Sequence, residues 1–387
     1  MITDNTGATP QVGNAPDAEF VQLLSPTGER LHDGRYSTRT DHLDRAALEG
    51  FYRDMALTRR FDTEATALQR QGELGLWPPS LGQEAAQVGS ARALRPADFV
   101  FPSYREHGVA LVRGLDLKQL LHLYRGREHG GWDPYAHNFN TSTLVIGAHT
   151  LHAAGYAMGI QRDGDVGTGD PARDRAVVTY FGDGATSQGD VNEAMVFASS
   201  ACAPVVFFCQ NNHWAISVPT STQSRFPLAS RGHGFGIPSV RVDGNDVLAC
   251  YAVMSEALER AHNGDGPSFI EAVTYRMGSH TTSDDPTRYR SRAEEESWRQ
   301  RDPLARLRTH LQQQGTPSDF FENLEAEADA LAVSTRDFCH AMRPPAPESM
   351  FDHVYATPHH GLDRERARFA DYQAGFAGTG AAEAANS

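Results

Sequence analysis

The chain has no apolar run approaching membrane-spanning length, and no apolar stretch behind a basic start at its N-terminus. A spanning helix needs about 20 consecutive apolar residues, so neither a membrane segment nor a secretory signal is expected. The first 29 residues are acidic and contain no arginine, which argues against an organelle transit peptide. Positive charge is in deficit. The 35 Lys and Arg face 49 Asp and Glu, for a formal net charge of −14. Binding a nucleic-acid backbone needs a basic patch, and none is present, so that class is excluded. Cysteine is scarce as well. Cys202, Cys209, Cys250 and Cys339 form no C-x-x-C pair, and two of them border or occupy apolar segments. Buried, reduced thiols in a cytoplasmic protein are expected, not disulfides or metal ligands.

What is present reads as a soluble globular protein, 40% apolar and 22% charged. The 387 residues have room for one large α/β domain or two ordinary ones. Residues 1–44 are rich in Thr, Gly, Pro, Asn and Asp and read as a partly disordered arm. Helical patterns follow from Asp44, over 82–95 and over 117–125. Gly147 to Gly159 is dense in glycine and alanine, and predicts a tightly packed central helix. Strand and helix then alternate through 176–181, 187–202, 205–210, 239–242, 247–262 and 268–274. That order predicts an α/β fold, a mainly parallel sheet with helices on both faces. An acidic helix is expected over 320–342. Residues 343–387, with Pro344, Pro345, Pro347 and a Gly/Ala-rich end, read as a docking tail with a disordered end. The body is then a single domain over 45–342.

The stretch from Gly182 to Asn212 carries the most chemistry. Ala176-Val177-Val178-Thr179-Tyr180-Phe181 is β-branched and aromatic and reads as a buried parallel strand. Gly182 and Gly184 leave the backbone bare at its C-terminal end, where open α/β sheets place their ligands. Asp183 offers a hard oxygen to a hard cation such as Mg²⁺. Ser187 and Asp190 are positioned to cap the next helix, whose N-terminus favours negative charge. Val205-Val206-Phe207-Phe208-Cys209 returns as the next strand and delivers Asn211 and Asn212 to the same sheet edge. Gly-Asp-Gly alone reads as a plain turn. With two asparagines one crossover later, the pattern matches the fingerprint of a diphosphate cofactor held through a metal.

Further segments fall in a fixed order. They are Gly82-Gln83-Glu84-Ala85, Phe101-Pro102-Ser103-Tyr104-Arg105-Glu106, Gly182 to Asp190, Asn211 to Ser217, Val242 to Val247, and His280 to Arg290. The set resembles the alpha subunit of the thiamine diphosphate-dependent decarboxylase component of 2-oxo acid dehydrogenase complexes. The resemblance runs from about Phe51 to about Leu311 and more loosely to Tyr355. It implies the thiamine diphosphate-binding fold of the diphosphate-binding type. It implies Mg²⁺ held by Asp183, Asn212 and the carbonyl of Trp214, with Gly182, Gly184 and Ala185 lining the diphosphate through backbone groups. It implies Tyr104 and Arg105 on the diphosphate, a pair that alone reads as surface polar residues. It also implies Ile146 as a wedge under the bent cofactor. His280 becomes the catalytic histidine beside the diphosphate, its charge tuned by nearby carboxylates. Taken alone, His280 reads as an exposed loop histidine, or as a metal ligand with Asp284 that lacks a second histidine. Arg288, Tyr289 and Arg290 are expected to order its loop.

The same resemblance identifies what is missing. The glutamate that contacts the aminopyrimidine lies, in this family, on a separate beta subunit, and the chain has no room for a second such domain. An α₂β₂ heterotetramer follows, with an active site between chains and the small-residue helices as candidates for interface or core. The chain also departs from the family pattern. Ala148 replaces a hydroxyl, which puts a potassium site in question. Gln210 stands where some relatives place an arginine, and Trp214 replaces a commoner tyrosine or phenylalanine. The implied activity is oxidative decarboxylation of a branched-chain 2-oxo acid, 3-methyl-2-oxobutanoate, with acyl transfer to lipoyl-lysine of an acyltransferase partner. Pyruvate is the alternative substrate. A split transketolase-like enzyme and a non-catalytic cofactor-binding subunit are the competing readings.

Overall fold

A computed structural model describes residues 20–376. The expectations for the first 19 residues and for the chain's last residues lie outside this range. Six strands form one sheet: β1 (Phe20–Val21), β2 (Phe99–Phe101), β3 (Val177–Gly182), β4 (Val205–Asn211), β7 (Ser239–Asp243) and β8 (Ser268–Val273). Their order is β1-β7-β8-β4-β3-β2, and every neighbouring pair is parallel. A two-stranded antiparallel hairpin, β5 (Trp214–Ala215) and β6 (Val218–Pro219), stands apart from it.

The central strands read V-V-T-Y-F-G and V-V-F-F-C-Q-N, and nearly every residue in them is buried. A strand covered on both faces has no polar side to show, hence the continuous apolar run. Val177, Phe181, Val205 and Phe207 face the helices Ala148–Asp163 and Gly189–Ala201, which supply Ala153, Ala157, Val191 and Ala198 to the same core. Tyr180 points the other way, its hydroxyl 3.0 Å from Ser90 on the helix Glu84–Ala91. That helix crosses Val247–His262 at Gly89. A Cβ there would stand 2.5 Å from the carbonyl oxygen of Val247, so only glycine permits the crossing.

The glycine-rich helix Ala148–Asp163 departs from expectation. It buries Ala153, Ala154, Ala157 and Ile160, but nothing packs within 4 Å of a Cβ built at Gly155 or Gly159. It is packed on one face only, because those glycines point away from the sheet. The segment expected over 82–95 shortens to Glu84–Ala91, and 117–125 divides into a 3-10 turn, Leu117–Leu120, and one helical turn, Leu121–Tyr124. Within 20–44 the chain does more than extend. β1 becomes the sheet edge, and Asp246 fixes it by accepting from the backbone N–H of Leu23 at 2.6 Å. Asp44 caps the long helix Arg45–Arg70 through the N–H of Ala47.

The chain divides into two compact units, one up to His340 and one from Ala341. The second carries a 3-10 turn, Pro347–Phe351, and a helix, His360–Ala374. All four cysteines are free. Cys202 is exposed, contrary to expectation, because it ends the helix Gly189–Ala201 in a left-handed conformation at the surface. No helix of the described residues is long and apolar enough to cross a membrane.

Candidate active site

The carboxyl ends of β3 and β4 are adjacent, with Gly182 opposite Gln210. Between them and the segments around Tyr104, Ile146 and His280 lies a cavity of about 250 Å³. Tyr104, Arg105, Ile146, Gly182, Asp183, Gly184, Ala185, Asn212, Trp214 and His280 all line it. Residues 176 positions apart in sequence meet there because parallel strands bring their C-terminal loops to one edge. A larger cavity, 620 Å³, opens at the opposite end of β7 and β8 among ion-paired surface side chains. It contains none of these residues.

Gly182 turns from the strand into a 3-10 turn, Asp183–Ser187, and nothing lies within 4 Å of a Cβ built on it. The backbone is bare toward the cavity. At Gly184 the constraint is packing, since a Cβ there would meet that of Ala215 at 2.8 Å. This 3-10 turn delays the following helix to Gly189. Its N-cap is therefore Gln188, and neither Ser187 nor Asp190 caps it, as the spacing had suggested. Ser187 donates instead to Gln223 at 3.3 Å.

Asp183 is buried. One carboxylate oxygen accepts from Thr220 at 3.1 Å and from Gln223 at 3.0 Å. Burial raises its pKa, against those hydrogen bonds and the Arg276 charge. An anion so placed favours a cation beside it. The side chains of Asn211 and Asn212 have different tasks. Asn211 is a brace, donating to Glu271 at 2.7 Å, with its Oδ1 3.0 Å from the Thr220 hydroxyl, whose one proton it shares with Asp183. Asn212 donates to Gln83 at 3.1 Å, and its Oδ1 accepts from the N–H of Trp214 at 3.2 Å. The carbonyl of Trp214 accepts from Arg276 at 2.9 Å.

Two buried arginines bring positive charge: Arg105 lines the cavity, and Arg276 lies behind it, bonded to Trp214 and His280, which do. Arg105 donates to the carbonyls of Pro79 and His280. Arg276 donates to the carbonyls of Trp214 and Ile216 and to the Tyr289 hydroxyl. Neither forms an ion pair among the described residues, and burial holds Arg276 down at about 10. Arg105 and Arg276 also approach Nδ1 of His280, at 3.3 and 3.2 Å. A guanidinium only donates, so Nδ1 must accept, and the ring proton sits on Nε2. Burial first, then the two arginines, depress the His280 pKa to about 3. The imidazole is neutral. Of the carboxylates expected to tune it, Asp284 does raise the His280 pKa, but as the smallest of the four influences; it also accepts from the His280 backbone N–H at 2.9 Å and from Tyr289. Arg290 holds the same loop through the carbonyls of Met277 and Gly278, at 3.1 and 3.0 Å.

Four participants have no role in the site assigned from sequence: Gln83 and Glu106, although both lie inside the motif segments, and Gln223 and Arg276. Gln210, noted only as a departure, donates to Glu106 at 2.7 Å and accepts from Gln87 at 3.0 Å. Burial pushes Glu106 up to about 7. The only local signal for any of these was proximity to a motif residue.

The donor set fits a hard cation bound together with a phosphate ligand. Among the described residues no three His, Cys, Asp or Glu side chains form a metal cluster. The oxygens expected to bind the metal are one carboxylate, from Asp183, one amide, from Asn212, and one carbonyl, from Trp214, all at this cavity. Mg²⁺ is commonly held so, by one or two carboxylates with phosphate oxygens completing its shell.

The dehydrogenase E1 component family matches residues 52–335. The chain is 47% identical over 342 residues to the 3-methyl-2-oxobutanoate dehydrogenase subunit alpha of Mycobacterium tuberculosis, covering 88% of this chain and 89% of that one. It is 42% identical to the pyruvate dehydrogenase E1 component subunit alpha of Acholeplasma laidlawii, covering 75% and 82%, and 39% identical to that of Bacillus subtilis, covering 77% and 78%. This chain belongs to the dehydrogenase E1 component family, as an alpha-type subunit of a 2-oxo acid dehydrogenase.

Proposed function

We propose that the chain is the alpha subunit of a 3-methyl-2-oxobutanoate dehydrogenase that uses thiamine diphosphate and Mg²⁺. The observation that carries the cofactor reading is the bare Gly182 edge beside buried Asp183, with Arg105, which has no ion pair among the described residues, lining the same cavity. Bound there, thiamine diphosphate supplies a carbon that adds to the 2-oxo acid and accepts the electrons released as CO₂ leaves. The chain's own residues do the rest. Asp183, Asn212 and the Trp214 carbonyl would hold the metal, and the backbone at Gly182, Gly184 and Ala185 would lie along the diphosphate. Tyr104 and Arg105 would contact its oxygens. Ile146 would support the bent cofactor, and neutral His280 would donate from Nε2 toward the reacting centre.

A beta subunit completes the site in an α₂β₂ assembly, and the acyl group passes to lipoyl-lysine of an acyltransferase. Residues 45–342 form the catalytic domain and 343–387 a docking tail. Four free cysteines fit a reducing compartment, the cytoplasm. The branched-chain substrate rests on the 47% identity to the mycobacterial subunit, and the pyruvate-named relatives supply the second reading. CO₂ release by the chain co-expressed with its beta partner decides between them. Faster turnover on pyruvate than on 3-methyl-2-oxobutanoate overturns the branched-chain assignment.

A further inference from the structure

Gln83 stands where the helix Glu84–Ala91 begins, directly after Gly82 at φ +93°. A Cβ on Gly82 would lie 2.4 Å from the carbonyl oxygen of Tyr275, so only glycine lets this turn press against the chain leaving β8. Thr274 donates to the Gly82 carbonyl at 2.8 Å, and the N–H of Met277 to that of Leu81 at 3.0 Å. The turn is thus fastened from both sides. Its product is a glutamine side chain only 1% exposed that lines the cavity beside Asn212.

The two ends of that side chain differ. Oε1 accepts from Nδ2 of Asn212 at 3.1 Å. Nε2 is buried and has no hydrogen-bond partner among the described residues. A buried donor without an acceptor costs about 1–3 kcal/mol, so it calls for an explanation. The pairing also has a consequence for Asn212. With its nitrogen occupied by Gln83, its oxygen is the end left toward Trp214, where it accepts one hydrogen bond and retains a second lone pair.

We propose that Gln83 is a ligand-binding and positioning residue of this pocket. Its Oε1 turns the Asn212 amide so that the oxygen serves the metal, and its Nε2 donates to an anionic oxygen of the bound diphosphate. This rests on the metal–diphosphate reading above. A glutamate at position 83 would preserve the first task, because a carboxylate still accepts from Asn212. It would reverse the second, because it has no donor and adds an anion near Asp183.

The test is calorimetric titration of thiamine diphosphate into the full-length chain assembled with its beta partner, across a range of Mg²⁺ concentrations. Gln83→Met, Gln83→Glu and Asp183→Ala are compared with wild type. Both Gln83 variants should lose about ten- to a hundredfold in cofactor affinity, the scale of a hydrogen bond to a charged group. Gln83→Met should also raise the half-saturating Mg²⁺ concentration, whereas Gln83→Glu should leave it at or below the wild-type value. That split is one a merely structural role would not produce. Should Gln83→Met not fold, Gln83→Glu carries the affinity arm alone. Cofactor affinities within twofold of wild type in the Gln83 variants, with binding abolished in Asp183→Ala, overturn the role of Gln83 alone. Binding by Asp183→Ala equal to wild type overturns the metal reading and this inference with it.

Discussion

Around the cavity, Asp183 and Asn212 are 1% and 6% exposed, and their side chains are held by Thr220, Gln223, Trp214 and Gln83. On its apolar side, Ile146 and Ile216 line it and are 39% and 55% exposed, and Leu144 and Val145, next to Ile146 in the chain, are 51% and 68% exposed. One wall is hydrogen-bonded and desolvated before any ligand arrives, and the other is apolar and uncovered. Preorganised polar groups must be fixed by the chain that carries them, because their orientation is what makes them useful. Apolar surface needs only a neighbour to cover it. The asymmetry is what the proposed assembly requires, a polar wall held by this chain and an apolar wall left for the beta subunit.

The sharpest way to break this comparison is Asp183→Ala. Cofactor affinity in the presence of Mg²⁺ should fall by at least about a hundredfold, since even the outer partners of a metal site cost ten- to a hundredfold. The ligand-free chain should melt no lower than wild type, because a buried carboxylate without a cation costs stability. A much lower melting temperature would make Asp183 a structural residue. At the other wall, Val145→Asp should leave melting of the isolated chain unchanged while weakening assembly with the beta subunit. Roughly 2 kcal/mol is expected for a charge placed in an apolar contact, read by sedimentation as a fall in heterotetramer. Unchanged assembly would remove that wall from the interface.

Glu106 provides a pH test of the polar wall. Its folded pKa, about 7, lies above the ordinary 4.5. Its contribution is therefore fully present below pH 4.5 and lost as pH rises through 7. Relative to Glu106→Gln, wild type should lose roughly 2–3 kcal/mol of stability between pH 5 and pH 9, tracked by denaturant midpoints. A constant difference would contradict the assignment. The smallest effects separate two glycines. Gly184→Ala should cost about 1–2 kcal/mol of stability through its clash with Ala215, whereas Gly182→Ala should barely alter melting yet reduce cofactor affinity. Equal melting of the two variants would show that the Gly182 edge is not the open one.

Much of the site was legible because its parts are local. A β-branched strand ending in glycine, an aspartate next to it, and an asparagine pair after the next strand each announce themselves within a few residues. Tyr104, Arg105 and His280 were legible only through family resemblance. The roles of Gln83, Gln223 and Arg276 were not legible, since their partners lie 129, 40 and 62 residues away. The misplaced helix cap at Ser187 and Asp190 has a local cause, a 3-10 turn inserted after Asp183. Exposure of Cys202 and of the Gly155 face could not be read from composition, because a small residue suits both a crowded core and a bare surface.

By itself, then, the sequence determined the alternation of strands and helices, the sheet edge that carries the ligand groups, and the residue types offered there. Periodicity, glycine placement and donor chemistry are properties of short segments. The tertiary structure alone decided which nitrogen of His280 carries the proton, which end of the Asn212 amide faces Gln83, and which wall of the cavity is left uncovered. Those depend on groups brought together from distant segments, and hydrogen-bond direction and burial exist only once they meet.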